Sequence, residues 1–323
     1  MALSYDKSAA VIVLPAVGGG RLQDRRLRSW LARSLPRLAA EPGELLSSIL
    51  QALNLPYPDS GQAALRMWGQ TGDRPTVWIA AAEPVCLEPR LDHLRLHAQP
   101  HTEAPNADLR PLFDHLQRVL ARDSGFGFAR IGAYGYLRAS DPIATARLPA
   151  SVVNQNRPDD FMPAGDNTGT YRNLLSEVEM ALHDHEVNLQ RQANGLQPIN
   201  SLWFWGGGMA PEQKARPHPP LFCDDPLLKG YWYSNTGVVE PWPGSIARCL
   251  GASVAGFVAV VSPSDDAAEQ LRCCLTELRE ALKSGRLSRL ILMFRDGIRA
   301  DIVSKDSLRF WRRRSPLLEN AAQ

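Results

Sequence analysis

The amino-acid sequence predicts an α/β protein in which a largely parallel sheet is flanked by helices and an α+β subdomain is inserted. Three short, continuous apolar runs predict the sheet, because strands that are buried on both faces lack polar alternation. These runs are Ala9 to Leu14, Thr76 to Ala82 and Ser253 to Val261. Segments with helical apolar spacing, such as Asp265 to Lys283, lie between strands at both ends of the chain. This alternation is typical of a parallel α/β architecture.

Length and composition describe an ordinary globular chain. Its 323 residues, 44% of them hydrophobic, suffice for a sizeable core, and 36 basic against 34 acidic residues leave a net charge of +2. The balance demands neither nucleic acid nor a membrane partner. No apolar run approaches the roughly 18 residues of a membrane span, and the N-terminus lacks a signal-peptide pattern, so we expect a cytoplasmic protein. The five cysteines include no C-x-x-C pair, which predicts reduced thiols.

The first 105 residues are assigned to the α/β core. In chain order, the predicted elements are a strand at 9–14, helices at 21–40 and 44–53, and strands at 76–82 and 91–97. Residues 100–111 are rich in Pro, Asp, Glu and Asn, which favours a linker after this part of the core.

The character of the sequence changes beyond the linker, and we predict an inserted subdomain over residues 106–197. Its predicted elements are a helix at 111–123, a strand at 127–137, an irregular segment at 141–170 and one long helix at 171–193. The core resumes over 198–323. There we predict strands at 202–205, 230–234, 253–261, 289–294 and 299–303, and a helix at 265–283 that is capped by Ser264.

A stretch of tryptophan and glycine follows the long helix. Trp203 and Trp205 lie two residues apart, so on a strand they face the same side. Gly206 to Gly208 then permit backbone conformations that other residues avoid. This pattern predicts a buried strand running into a loop that another group approaches closely. By residue type alone, a packed strand and tight turn without a ligand is the favoured interpretation.

The long helix offers a second group of polar residues. His185, Asn188 and Arg191 are spaced to share one helix face, where their side chains could donate hydrogen bonds to an anion. A solvated face or a structural role is an equally good interpretation. His183 and His185 lie only two residues apart, which does not suit a shared metal ion.

Together the two groups resemble a known family. The motifs are His185-x-Val187-Asn188-x-x-Arg191, then Asn200, then Trp203-x-Trp205-Gly206-x-Gly208-x-x-Pro211. They resemble the archaeal-type cofactor-independent phosphoglycerate mutases of the alkaline phosphatase superfamily. The resemblance covers roughly residues 110 to 211. It implies an alkaline phosphatase-like core and a loop that borders an active-site cleft.

The chain departs from that family where the metal chemistry is expected. The resemblance implies a metal-binding Asp after the first strand, a serine nucleophile, and Asp and His ligands in the C-terminal third. Here Pro15 follows the first strand, Ser29 and Ser34 lie in a basic helix without a nucleophile motif, and the last histidine is His218. A two-metal phosphotransfer site needs several hard and imidazole ligands. We therefore expect no catalytic residues, no metal site and no cofactor.

The resulting hypothesis is a phosphoglycerate mutase-like pseudoenzyme that serves as a binding or regulatory protein. A small anionic ligand would contact the candidate residues His185, Asn188, Arg191, Trp205, Gly206 and Gly208. The alternative is an active mutase or related phosphatase with a rearranged site, and a third hypothesis is an unrelated small-molecule hydrolase. We expect no membrane partner, and the sequence does not favour a nucleic-acid partner. It indicates no particular protein partner.

Two other patterns are interpreted as structural. Gly18-Gly19-Gly20-Arg21 follows a strand and could cradle a phosphate, but it matches no phosphate-binding motif, so a plain turn is favoured. The basic runs Arg25-Arg26-x-Arg28 and Arg312-Arg313-Arg314 are interpreted as solvated surface, because acidic residues balance them overall and no aromatic stacking module is evident.

Overall fold

The structure is a computed structural model that describes residues 9–18, 20–39, 44–99, 104–121, 125–164, 168–253, 256–312 and 314–319. Its helices are α1 Arg25–Ala32, α2 Leu45–Leu53, α3 Gln62–Thr71, α4 Asn106–Leu120, α5 Ala150–Val153, α6 Thr168–Leu182, α7 Glu186–Ala193, α8 Pro226–Ser234, α9 Ile246–Ala252, α10 Ala267–Lys283 and α11 Pro316–Glu319. Its strands are β1 Ala9–Leu14, β2 Arg37–Leu38, β3 Ile79–Pro89, β4 Leu94–Ala98, β5 Phe126–Ile131, β6 Tyr134–Ala139, β7 Ser201–Gly208, β8 Leu221–Phe222, β9 Val239–Glu240, β10 Val258–Val260, β11 Arg289–Phe294 and β12 Ile298–Val303.

The chain forms two compact units, Met1–Tyr57 with Gln213–Gln323, and Pro58–Glu212. The first contains a seven-stranded sheet in the order β2-β12-β11-β1-β10-β8-β9. Strand β1 lies at its centre and pairs in parallel with β10 and β11, so that Val11 faces Val258 on one side and Ile291 on the other. Only β12 runs opposite to the other strands of this sheet, because it pairs antiparallel with both of its neighbours, β11 and β2. The predicted α/β class with a largely parallel sheet is confirmed.

Helices α1, α9 and α10 contribute to the apolar core of this unit. On α10, Leu271, Leu275, Leu278 and Leu282 recur at helical spacing and are buried, which gives the stripe that docks a helix on a sheet. The cap of α10 is Asp266, whose carboxylate accepts from the amide of Glu269 at 2.9 Å, and not the predicted Ser264. An ionised carboxylate at the first turn also complements the helix dipole.

The second unit is built on an antiparallel sheet in the order β4-β3-β6-β5, with β7 also paired to β3. Helices α4 and α6 contribute to an apolar core that includes Phe113, Tyr171 and Phe204. The inserted segment therefore runs from about 58 to 212, whereas the sequence placed its boundaries near 105 and 198. The difference arises because β3, β4 and β7 join this second sheet, although the apolar runs of β3 and β7 resemble core strands.

Several local predictions differ from the structure. The predicted strand at 127–137 is the hairpin of β5 and β6, which turns at Gly132 with a φ of 57°. The predicted strand at 230–234 lies in helix α8, because Asp225 caps that helix and Pro226 occupies its first turn. The aromatic residues that suggested a strand there are packed as helical residues.

Other elements have different bounds from those predicted. Helix α1 ends at Ala32, and the chain continues into the short edge strand β2. Strand β3 starts at Ile79 rather than Thr76, and β10 covers only Val258–Val260 of the predicted run. Within that run, residues 254–255 lie outside the described part of the chain, as do Gly19 and Arg313 of the glycine and arginine patterns.

In the described part of the chain, none of the helices combines the length and the apolar character that crossing a membrane requires.

Candidate functional site

The tryptophan strand has the predicted conformation. Strand β7 pairs antiparallel with β3, and Trp203 and Trp205 are 1% and 2% exposed. The indole nitrogen Nε1 of Trp203 donates to the carbonyl oxygen of Leu148 at 2.8 Å, and its ring meets Tyr171 edge to face. Both predictions, a strand and buried tryptophans, are confirmed.

Trp205 packs against a buried cation from the same chain. The guanidinium carbon of Arg66, on α3, lies 5.7 Å from the centroid of the Trp205 ring and 4.9 Å from the centroids of Tyr134 and Tyr136. Three aromatic faces around one guanidinium form a cation–π arrangement. Burial raises the pKa of Tyr136 to about 12, so this phenol is neutral at physiological pH. A ligand is not needed to explain why Trp205 is aromatic.

The charge of Arg66 is balanced inside the unit. Its Nη1 donates to Oε1 of Glu83 on β3 at 2.8 Å, and its Nη2 donates to the carbonyl oxygen of Gly135 at 3.0 Å. The arginine side chain is 4% exposed and that of Glu83 is 22% exposed. The second oxygen of Glu83 accepts from the amide of Ala150 at 2.9 Å. This buried ion pair was not predicted from the sequence; its only signal was one arginine within the apolar residues of a short helix.

The three glycines after Trp205 form the end of β7 rather than a loop, and the start of helix α3 lies close to Gly206 and Gly208. A Cβ atom on Gly206 would lie 3.1 Å from Cβ of Gln62, and one on Gly208 would lie 2.5 Å from the backbone nitrogen of Gly61. The amide of Gly61 donates to the carbonyl oxygen of Gly207 at 3.3 Å. The predicted close approach is therefore present. The approaching group is the start of α3, so the glycines serve helix-to-strand packing.

Asn188 connects two helices to the chain that enters β7. Its Nδ2 donates to the carbonyl oxygens of Leu182 at 2.8 Å and Ile199 at 2.9 Å, and its Oδ1 accepts from the amide of Ile199 at 2.8 Å. The side chain is 1% exposed. All three bonds go to backbone groups, so the amide satisfies the backbone where regular secondary structure stops.

Arg191 is 3% exposed and has a similar role. Its Nη1 donates to Oδ2 of Asp108 at 2.6 Å, its Nη2 to Oε1 of Gln99 at 3.1 Å, and its Nε to the carbonyl oxygen of Gln197 at 2.9 Å. These partners come from α4, from the residue after β4 and from the turn before β7. Arg191 thus holds three segments of the second unit together.

His185 does not share a helix face with Asn188 and Arg191. The predicted helix 171–193 is interrupted, α6 ends at Leu182, and His185 is the N-cap of α7, with its Nδ1 accepting from the amide of Val187 at 3.2 Å. An imidazole that accepts at Nδ1 is neutral, with its single N–H on Nε2. Burial, followed by the nearby His115, lowers the pKa of His185, which favours this neutral form.

The structure does not bring the six candidate residues together. Asn188 contacts Ile199, which precedes the start of β7, whereas Gly206 and Gly208 lie at the end of that strand. Eight strand residues place these ends roughly 23 Å apart. The length of β7 therefore separates the contact of Asn188 from the glycines, and a shared cleft stays a prediction. Binding of an anion by either group stays a prediction.

Replacing Asn188 by alanine should lower the free energy of unfolding by about 2 to 3 kcal/mol, because the buried amide and carbonyl groups of Leu182 and Ile199 lose their partners. Chemical denaturation measures this loss. The matched control is Gln192→Ala on the same helix, where the side chain is exposed and the denaturation midpoint should stay unchanged. An Asn188→Ala protein as stable as the wild type would contradict the structural role.

The carboxyl edge of the parallel sheet is the other place to look for a site, because open α/β sheets bind ligands there. Strand β1 ends at Leu14, and the amides of Val17 and Gly18 in the following loop donate to Oδ2 of Asp296 at 2.9 and 2.7 Å. Gly18 is the first residue of the Gly18–Arg21 stretch that could cradle a phosphate, and its amide thus binds a carboxylate of the same chain. The distances agree with the favoured interpretation as a structural turn.

Two further polar residues follow parallel strands at this edge. The hydroxyl of Ser262, after β10, donates to Asp224, after β8. Oδ1 of Asp296 is buried and has no hydrogen-bond partner among the described residues. Within the described ranges, no group of three or more His, Cys, Asp or Glu side chains is placed to hold a metal ion.

A cavity of about 310 Å³ lies beside α10, lined by Glu269, Gln270, Cys273 and Glu277 among others. Its carboxylates already have partners, since Glu269 pairs with Arg272 and Glu277 accepts from the amide of Ala247. Its acidic lining would repel the small anionic ligand that the sequence predicts.

Comparison with known proteins supports the family resemblance over part of the chain. A 2,3-bisphosphoglycerate-independent phosphoglycerate mutase of Methanosarcina acetivorans is 36% identical over 70 residues, which are 22% of this chain and 18% of that protein. The corresponding mutase of Methanosarcina barkeri is 25% identical over 124 residues, 38% of this chain and 31% of that protein. The chain thus matches less than a third of these relatives' length. No protein-family model matches it.

Two solved structures also align with the chain. A cofactor-independent phosphoglycerate mutase from Thermoplasma acidophilum aligns with a TM-score of 0.42 and 18% identity, covering 92% of this chain and 90% of that chain. The PH0037 protein from Pyrococcus horikoshii aligns with a TM-score of 0.46 and 11% identity, covering 90% and 82%.

Proposed function

We propose that this chain is a phosphoglycerate mutase-like protein of the cytoplasm that has lost metal-dependent phosphotransfer and acts as a binding or regulatory protein. The observation that carries the proposal is the internal use of the family-like motif. Trp205 packs on Arg66, Gly206 and Gly208 contact the start of α3, and Asn188 is bonded to the backbone. These contacts account for the motif by packing, without a reaction.

The first parallel strand supports the same proposal. Pro15 stands where the resemblance implies a metal-binding Asp, and a proline side chain offers no ligand atom. The backbone amides that follow are bound to Asp296. Both the side-chain and backbone groups at the end of β1 are thus unlike those of a metal or phosphate site.

Phosphoryl transfer by the implied route depends on metal ligands and on a nucleophile whose motifs this chain lacks. In the route that the resemblance implies, metal ions activate the nucleophile and neutralise the transferred group. The chain has no histidine after His218 and no recognisable nucleophile motif around Ser29 or Ser34. Losing ligands from both ends of the core removes most of the metal affinity, because each ion's dehydration must be offset by several charged oxygens or imidazoles.

The alternative is an active mutase or phosphatase with a rearranged site. One observation favours it: Asp224, Ser262 and Asp296 follow the parallel strands β8, β10 and β11, at the sheet edge where ligands bind. The buried, unpartnered Oδ1 of Asp296 could accept from a ligand donor there.

Metal binding separates the two proposals. We expect purified protein to contain no stoichiometric Mn or Zn by elemental analysis, and its melting temperature to stay constant in excess Mn²⁺. A native-state site would instead add about 2.7 kcal/mol of stability at a metal concentration a hundred times its dissociation constant.

The accompanying assay is turnover of 3-phosphoglycerate in the presence of Mn²⁺, with protein that was treated with a chelator and dialysed as the control. We expect none. Turnover that requires the metal, or a metal-dependent rise in melting temperature that Asp224→Asn abolishes, would favour the rearranged active site.

A further inference from the structure

An exposed aromatic segment follows the last strand of the parallel sheet. Leu308, Phe310 and Trp311 are 69%, 64% and 66% exposed, which places three large apolar side chains on the surface within four positions. The rings of Phe310 and Trp311 meet edge to face, with centroids 5.2 Å apart. Clustered exposed apolar side chains mark interaction sites more often than single ones do.

The segment is fixed to the body of its unit. Nη1 of Arg309 donates to the carbonyl oxygen of Arg33 at 3.2 Å, and Nη1 of Arg33 donates to the carbonyl oxygen of Ser307 at 3.3 Å. The buried carboxylate of Asp306 accepts from the amide of Val303 at 2.9 Å and pairs with Arg309 at 2.8 Å. The aromatic pair is therefore presented by an anchored turn.

The surroundings of the aromatic pair are basic. Arg312 is exposed, and the side chain of Arg314 is 87% exposed. In the sequence, Lys305, Arg309, Arg312, Arg313 and Arg314 lie within ten residues that contain a single acid, Asp306. The whole chain carries a net charge of only +2, so this positive charge is locally concentrated.

We propose that Phe310, Trp311, Arg312 and Arg314, which we call the aromatic–arginine patch, bind single-stranded nucleic acid. Exposed aromatic rings provide surfaces on which unpaired bases stack, and neighbouring arginines neutralise phosphates. From the sequence alone the arginine run is interpreted as solvated surface, because no aromatic stacking module is evident there. The exposed rings of Phe310 and Trp311 supply that missing component beside the arginines.

A membrane surface suits the patch less well. Interfacial binding uses an amphipathic helix with a continuous apolar face. Here a short 3-10 turn, Ser304–Leu308, precedes the aromatic residues, and the next helix, α11, starts only at Pro316. The patch presents two rings beside two exposed arginines, which matches a flexible polyanion with separate bases.

The test uses the full-length protein and fluorescein-labelled oligodeoxythymidylate of about 20 nucleotides, longer than the site of a single binding module. Fluorescence anisotropy should show binding that weakens as the salt concentration rises. In the double variant Phe310→Ala/Trp311→Ala, binding should weaken roughly fivefold to a hundredfold for each stacked base that is lost. Arg312→Ala should lower the salt dependence by about 0.7 in the log–log slope.

Matched controls separate the patch from general surface effects. Met180→Ala removes another exposed apolar side chain, and Arg110→Ala removes another exposed arginine, both in the second unit; neither should change binding. Absence of oligonucleotide binding, or binding that is unchanged in the Phe310→Ala/Trp311→Ala variant, would overturn the proposal. Sedimentation with phosphatidylglycerol vesicles that is lost in the same variant, with oligonucleotide binding unaffected, would assign the patch to membranes instead. This inference does not depend on the proposed loss of phosphotransfer.

Discussion

Replacing Arg66 by alanine is expected to lower the free energy of unfolding by about 3 to 5 kcal/mol, because it leaves the partly buried Glu83 without its cation. The change also removes the group around which Tyr134, Tyr136 and Trp205 are packed. The expected loss of stability is large because the Arg66–Glu83 pair is largely buried, whereas exposed ion pairs contribute little to stability.

Hydrogen exchange of the backbone amides in β3 and β7 is the sharpest measurement for Arg66→Ala. These strands carry Glu83 and Trp205, so their opening free energy reports on the second unit directly. Arg110→Ala is the control, because its partner Asp114 lies 3.8 Å away and both side chains are largely exposed. Protection that is equal in Arg66→Ala and the wild type would show that the cation is dispensable.

The second large effect is expected for Gly61→Ala, at the start of α3. Gly61 has a φ of 80°, and a Cβ there would lie 2.3 Å from the carbonyl oxygen of Met209. The cost of the left-handed backbone and the cost of the backbone clash add. We therefore expect the free energy of unfolding to fall by about 3 kcal/mol or more. The result would establish that close contact between α3 and the chain after the glycines is essential for stability.

Gly72 offers a matched control at the other end of the same helix. It has a φ of 82°, but no atom lies within 4 Å of a Cβ built on it. Gly72→Ala should therefore cost only about 1 to 2 kcal/mol, the penalty for the left-handed conformation itself. Urea denaturation of the two variants measures both losses of stability. The loss in Gly61→Ala minus the loss in Gly72→Ala gives the contribution of close packing. If both variants lose the same stability, the packing role of the glycine stretch is wrong.

Sequence patterns predicted the class of fold but not the assignment of strands to sheets. The run at β1 and the run at β3 look alike, because both are continuous and apolar. Yet β1 is the centre of a parallel sheet and β3 pairs antiparallel with its neighbours. An apolar run reports that both faces of a strand are buried, and it carries no information about the direction of the neighbouring strand.

The candidate site shows the same limit. Residue types identified Asn188, Arg191 and Trp205 as unusual, and all three are buried. Their partners, such as Ile199 for Asn188 and Arg66 for Trp205, were not predictable. Helix breaks are also hard to predict from apolar spacing, which is why His185 was placed on a face that does not exist. Residues 183–185 separate the two helices, and the last of them, His185, is extended and caps α7.

The sequence by itself determined the buried runs, most of the helices and the family-like tryptophan and glycine motif, because each depends on local spacing and residue type. Only the tertiary structure decided what approaches the glycines, which cation faces Trp205, and which carboxylate binds the amides after β1. Asp296 meets Val17 across 279 positions of chain. Arg66 meets Trp205 within the second unit, although the sequence assigned both residues to the α/β core. Such contacts are set by strand order and chain crossing, which local periodicity does not encode.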